Sequence, residues 1–139
     1  MGGDNKAAIE RFKKALESGD LAALSRLQGE IAADDFVQEW PQSGERIRGK
    51  AAAKKINDNY AGATGTSPKM SNPRIKGEGD IYVLEATIDY GDGTPVSYVG
   101  IAEFKDGKVA KITEYFANPF EAPAWRADYV ERMQPAGVR

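Results

Sequence analysis

One acidic residue stands between apolar neighbours in KITEYF, residues 111–116. Alternation along a β-strand sends Ile112, Glu114 and Phe116 to one face, and two of those three are apolar. A carboxylate on a face that packs inward is a candidate general acid or base, able to remove a proton next to a carbonyl or to deliver one. The competing reading is structural: Glu114 lies near an open end of the fold and is neutralised by Arg46 or Arg48, or reaches water. Gln38 and Trp40 alternate on another strand, where Gln38 could orient a ligand oxygen and Trp40 could form an aromatic wall with Phe116. Tyr60, Tyr82 and Tyr98 could each offer a hydroxyl to a substrate oxygen, and each also suits a buried tyrosine with a structural partner.

What is missing narrows the chemistry. The 139 residues include no histidine and no cysteine, so imidazole triads, thiolate nucleophiles and disulfides are excluded, and we expect no metal site. Acid–base work falls to carboxylates, tyrosines and lysines. The glycines of GEGD and GDG sit in turns and lack the strand-to-helix setting of a phosphate loop, so no cofactor is expected. Nineteen basic and twenty-one acidic residues leave a net charge of −2 without a block of either sign, which argues against nucleic acid or a lipid surface as the main partner. KAAAKK reads as a solvated helical face and not as a basic binding site. No apolar run approaches the roughly 18 residues that span a bilayer, and the start, Met1-Gly2-Gly3-Asp4, has no signal-peptide pattern. A cytoplasmic protein is the expectation.

The elements that must position these side chains follow from periodicity. Residues 1–139 are expected to form one domain, with 1–4 a flexible start and 134–139 a flexible tail. Ile9, Phe12 and Leu16 mark a helix from Asn5 to Ser18; Leu21, Leu24, Leu27 and Ile31 mark a second, capped by Asp20. DDFVQEWP is a strand with Phe36, Gln38 and Trp40 on one face, and PQSGERIRG turns into a short return strand. A third helix runs from Lys50 to about Gly62 with Ala52, Ile56 and Tyr60 along one side. An irregular edge strand is expected around 69–76. The stretch from Asp80 to Phe116 then reads as a three-strand antiparallel meander turned by Gly91-Asp92-Gly93 and Asp106-Gly107. A short amphipathic helix with Trp125, Tyr129 and Val130 closes the chain.

Helices followed by an antiparallel sheet indicate α+β with the helices on one face. Tyr82, Leu84, Ala86, Ile88 and Tyr90 share the inner side of one strand, and Tyr98, Gly100, Ala102 and Phe104 that of the next. Ala86, Gly100 and Ala102 are small, so the inner side could hold a cavity. Val99, Ile101 and Tyr115 make the outer face apolar enough to seat a second copy, and a homodimer is expected.

The order of these elements, with ALESGDLAAL, DDFVQEWP, RGKAAA and FKDGKVAKITEYF, resembles the nuclear-transport-factor-2-like superfamily, and within it the SnoaL-like, polyketide cyclase-like branch. The resemblance covers Asn5 to about Met133. It implies a cone-shaped, cystatin-like α+β fold, in which a curved antiparallel sheet wraps around the N-terminal helices and encloses a pocket. Members include steroid isomerases, polyketide cyclases, epoxide hydrolases and plain binding domains, so the fold does not choose the function. Where ketosteroid isomerases carry a tyrosine and two aspartates, this chain has Phe12, Trp40 and Gly100, which implies that this isomerase chemistry is absent. Limonene-type epoxide hydrolases place an arginine and an acid where Leu84, Ala86 and Ile88 point inward here, leaving only the late acid, Glu114. SnoaL-type cyclases also resemble this chain in having a late-strand acid in the pocket.

The resulting expectation is a cofactor-independent acid–base enzyme acting on a small hydrophobic, carbonyl-bearing or cyclic molecule. Glu114 would be its catalytic residue, and Phe12, Gln38, Trp40, Tyr60, Tyr82, Leu84, Ala86, Tyr98, Gly100, Ile112 and Phe116 would contact the substrate. The alternatives are a non-catalytic ligand-binding or dimerisation domain, and a scaffold whose pocket is filled by its own side chains.

Overall fold

A computed structural model of the chain describes residues 2–65 and 68–133. Its elements run α1 (Gly2–Ser18), α2 (Leu21–Ile31), β1 (Ala32–Trp40), β2 (Glu45–Arg48), α3 (Lys50–Thr64), β3 (Lys69–Glu78), β4 (Ile81–Asp89), β5 (Pro95–Lys105), β6 (Lys108–Ala117) and a 3-10 helix, Ala124–Tyr129. The expected flexible tail, 134–139, lies outside the described residues, as does Met1. Residues 2–4, expected to be a loose start, instead belong to α1, where Asp4 suits the positive end of the helix dipole. Asn5 anchors that end: fully buried, it donates to Gly79 O at 2.9 Å and to Asp80 Oδ1 at 3.1 Å.

The strands form one six-stranded sheet in the order β2-β1-β6-β5-β4-β3. All neighbours are antiparallel except β1 and β6, which run parallel with Gln38 opposite Ile112. The meander forms as expected. Its last hairpin turns through Asp106 and Gly107, both at positive φ, which matches the twist that a two-residue hairpin requires. β3 pairs along most of β4, broken between Ser71 and Arg74, where Asn72 has φ 52° and Pro73 has no N–H for the ladder.

The core lies between the helices and the concave face of this curved, unclosed sheet. Ile9, Phe12 and Leu16 of α1 and Leu27 and Ile31 of α2 are buried there, facing Tyr82, Leu84, Ala86 and Ile88 of β4 and Tyr98, Ala102 and Phe104 of β5. Tyr82 meets Phe104 edge-on, with ring centroids 5.8 Å apart. Two expected helical faces differ. On α3 Ala53 is buried, while Ile56 is 39% exposed, so the inward face is rotated from the expected Ala52–Ile56–Tyr60 row. Three successive alanines make any of these faces apolar, and packing against β1 selects among them. The closing helix is a 3-10 turn with no buried residue, and Trp125 and Tyr129 are 76% and 83% exposed. Among the described residues no helix is long and apolar enough to cross a membrane.

Candidate functional site

Glu114 points inward and is 8% exposed. Its position follows from two strand registers: the parallel pairing of β1 with β6 lays Gln38 and Trp40 alongside Ile112 and Glu114, and the antiparallel pairing of β5 with β6 sets Gly100 opposite Glu114. Gln38 Nε2 donates to Glu114 Oε1 at 2.5 Å, and Trp40 Nε1 donates to the same oxygen at 2.8 Å. The Tyr98 hydroxyl donates to Oε2. A carboxylate offers about four acceptor sites, so these three donors leave one open, on Oε2. Gly100 makes the Tyr98 contact possible. A Cβ there would collide with the Tyr98 hydroxyl and stand 3.0 Å from Cζ, so only a residue without a side chain lets the phenol cross toward Glu114. Phe116 packs on the same tyrosine, with ring centroids 5.4 Å apart.

The surroundings hold the neighbouring phenols in their protonated form. Burial raises the Tyr98 pKa well above its ordinary 10.0, and the negative charge of Glu114 and the hydrogen bond to it push the same way. Tyr90 is raised as well, by burial first and then by Tyr60 and Glu114. Among the described residues no arginine pairs with Glu114. Arg46, one of the expected counter-ions, instead pairs at 2.6 Å with Glu39, which also meets Lys111 at 2.9 Å. Val37 and Glu39 alternate with the inward Gln38, so this pair belongs to the outer face.

Beside the carboxylate cluster lies an open cavity of about 320 Å³ between the helices and the sheet. Phe12, Tyr82, Leu84, Gly100 and Ile112, named from the sequence as substrate contacts, form part of its wall. The scaffold alternative, with the interior filled by the protein's own side chains, does not describe this space. Other expected contacts fall elsewhere. Gln38, Trp40 and Tyr98 bind the carboxylate; Ala86 is core, 4% exposed; Tyr60 stands near Tyr90; Phe116 backs Tyr98. Glu114 itself is behind the wall, with Gly100 across the sheet and Ile112 two residues before it forming the lining.

Several site residues have no mark in the sequence pattern. Gln42 bridges to β6 just beyond Glu114, donating to Phe116 O at 2.8 Å and accepting from Phe116 N at 2.6 Å. Arg26, Gln28, Lys50, Lys54 and Asn57 of α2 and α3 also line the cavity, and the exposed Arg26, Lys54 and Asn57 set its mouth between these helices. The expectation that KAAAKK is only a solvated face therefore needs correction: Ala53 is wall, and Lys50 and Lys54 are rim.

Comparison with known proteins agrees with this architecture. The family model of the SnoaL-like domain matches residues 9–112, stopping two residues short of Glu114. An NTF-2 like protein of unknown function from Burkholderia xenovorans LB400 is 34% identical, with 94% of this chain and 96% of that chain covered and a TM-score of 0.73. A candidate ketosteroid isomerase from Kribbella flavida DSM 17836 has a TM-score of 0.79 at 22% identity, covering 99% and 96%. A candidate SnoaL-like polyketide cyclase from Jannaschia sp. CCS1 has a TM-score of 0.65 at 18% identity, covering 84% and 87%. The last two show the shared fold alone. No protein of curated function matches the chain.

Proposed function

This chain belongs to the SnoaL-like domain family, and we propose that it binds a small hydrophobic, carbonyl-bearing or cyclic molecule in the cavity and that Glu114 transfers a proton to or from it. The observation that carries the reading is a buried carboxylate beside an apolar cavity, held in one orientation by three donors, with Oε2 accepting from Tyr98 alone among the described residues. Gln38 and Trp40 pin Oε1, so rotation of the carboxylate is restrained and Oε2 keeps its aim. In the proton-abstraction direction, the C–H bond next to a carbonyl breaks, its electron pair forms the carbon–carbon double bond of an enolate while the carbonyl π pair moves onto oxygen, and the proton goes to Oε2; the reverse step returns it.

A second reading, binding without chemistry, is favoured by one feature: the carboxylate is not in the cavity wall, and Tyr98 lies over Gly100 at that wall. The two readings separate in one experiment. A panel of small hydrophobic ketones and cyclic compounds is screened by thermal shift, and binders are tested for turnover with the wild type and Glu114→Gln. The enzyme reading expects the variant to bind as well as wild type with turnover lost. Binders that are never converted leave the binding domain, and a panel without a single binder contradicts both.

A further inference from the structure

The cavity has two chemically different ends. Its depth is apolar, with Phe36, Ala53, Leu84 and Val109 buried. Among the described residues its wall carries three cations, the exposed Arg26 and Lys54 and the half-buried Lys50, and no acidic side chain. The chain as a whole has a net charge of −2, so this concentration of positive charge around one opening is local and opposes the overall balance.

These cations are available. Arg26 is exposed and makes no ion pair or hydrogen bond among the described residues. Lys50 reaches Gly29 O at 3.0 Å and Asp34 at 3.2 Å, and Asp34 is 96% exposed. Lys54 meets Asp58 at 2.6 Å in a pair that is 66% and 51% exposed. Surface pairs of this kind are weak and exchange readily for a better-placed anion. The nearby Glu30 is engaged by Arg11 at 2.6 Å.

We infer that the cavity takes an amphipathic acid, with its apolar body inside and its carboxylate held at the mouth by Arg26, Lys50 and Lys54. This rests on the cavity being a small-molecule site and adds the class of molecule. Such a ligand enters tail first. Its carboxylate stays at the α2–α3 rim, and the far end of the body reaches the Gly100 wall beside Tyr98 and Glu114. A planar guanidinium at the rim suits a carboxylate, which it can grip through two N–H groups.

The test compares decanoate with 1-decanol, which differ in head-group charge, by titration calorimetry on the full chain. Wild type is expected to bind decanoate roughly tenfold more tightly than 1-decanol, the scale of one charge-assisted contact. Added salt should narrow the gap. The double variant Arg26→Gln, Lys54→Gln changes only exposed side chains; it is expected to bind decanoate roughly tenfold more weakly and 1-decanol unchanged. Equal affinities for the two probes, or a variant that binds decanoate as wild type does, overturns the inference and leaves the cavity as a neutral-ligand site. Binding of neither probe overturns the inference and the small-molecule reading together.

Discussion

At the scale of single residues, the site is a hydrogen-bonded unit whose parts depend on one another. Glu114→Gln replaces one acceptor oxygen by a donor, so at least one of Gln38, Trp40 and Tyr98 loses its acceptor. A buried polar group left without a partner costs about 1–3 kcal/mol, and urea denaturation of the variant should show a loss on that scale with the fold retained. Gly100→Ala forces the Tyr98 phenol away from Glu114, at a cost of about 1–3 kcal/mol for overpacking; the same measurement checks it. Tyr98 also gives a signed pH effect. Its pKa is raised in the folded state, so its contribution to stability is complete below 10.0 and is lost as pH rises from there through the folded value. Denaturation curves at increasing alkaline pH should therefore fall less steeply for Tyr98→Phe than for wild type, and equal slopes would argue against the buried phenol–carboxylate contact.

At the scale of elements, legibility followed the range of the interactions. The meander could be read because its strands are joined by short turns, and strict alternation then sorts inner from outer faces, placing Glu114, Gly100 and Tyr98 on the same side. The three donors on Glu114 could not be read as a set, because Gln38 and Trp40 reach it through a parallel pairing between strands more than 70 positions apart in sequence. The cavity mouth escaped for another reason: α3 is alanine-rich, and its orientation is set by what it packs on, not by its own pattern. Local signals at helix ends were clearer. Asp20 caps α2 as expected, its Oδ1 accepting from Ala23 N at 3.1 Å. Asp20→Ala should cost about 1 kcal/mol, read from the denaturation midpoint, and should loosen the helix that carries Arg26 to the rim.

At the scale of the whole molecule, one sheet face encloses the cavity and the other is exposed with apolar residues. Ile81 is 54% exposed, Tyr115 39% and Val83 36%, and Val99 and Ile101 are half-buried on that same outer face. We expect this face to join two copies, with light scattering giving twice the chain mass and Ile101→Lys returning it to the mass of one chain; a wild-type mass of one chain at all concentrations would refute the dimer. The enclosed side is the part that concerns chemistry. Its central claim, that Glu114 moves a proton of a molecule held in the cavity, is tested most directly by following hydrogen–deuterium exchange at the carbon beside the carbonyl of a cavity-bound ketone by NMR in heavy water. Wild type is expected to catalyse this exchange, and Glu114→Gln to bind the same ketone without catalysing it. Equal exchange by the two proteins, or none by wild type with the ketone bound, would contradict it.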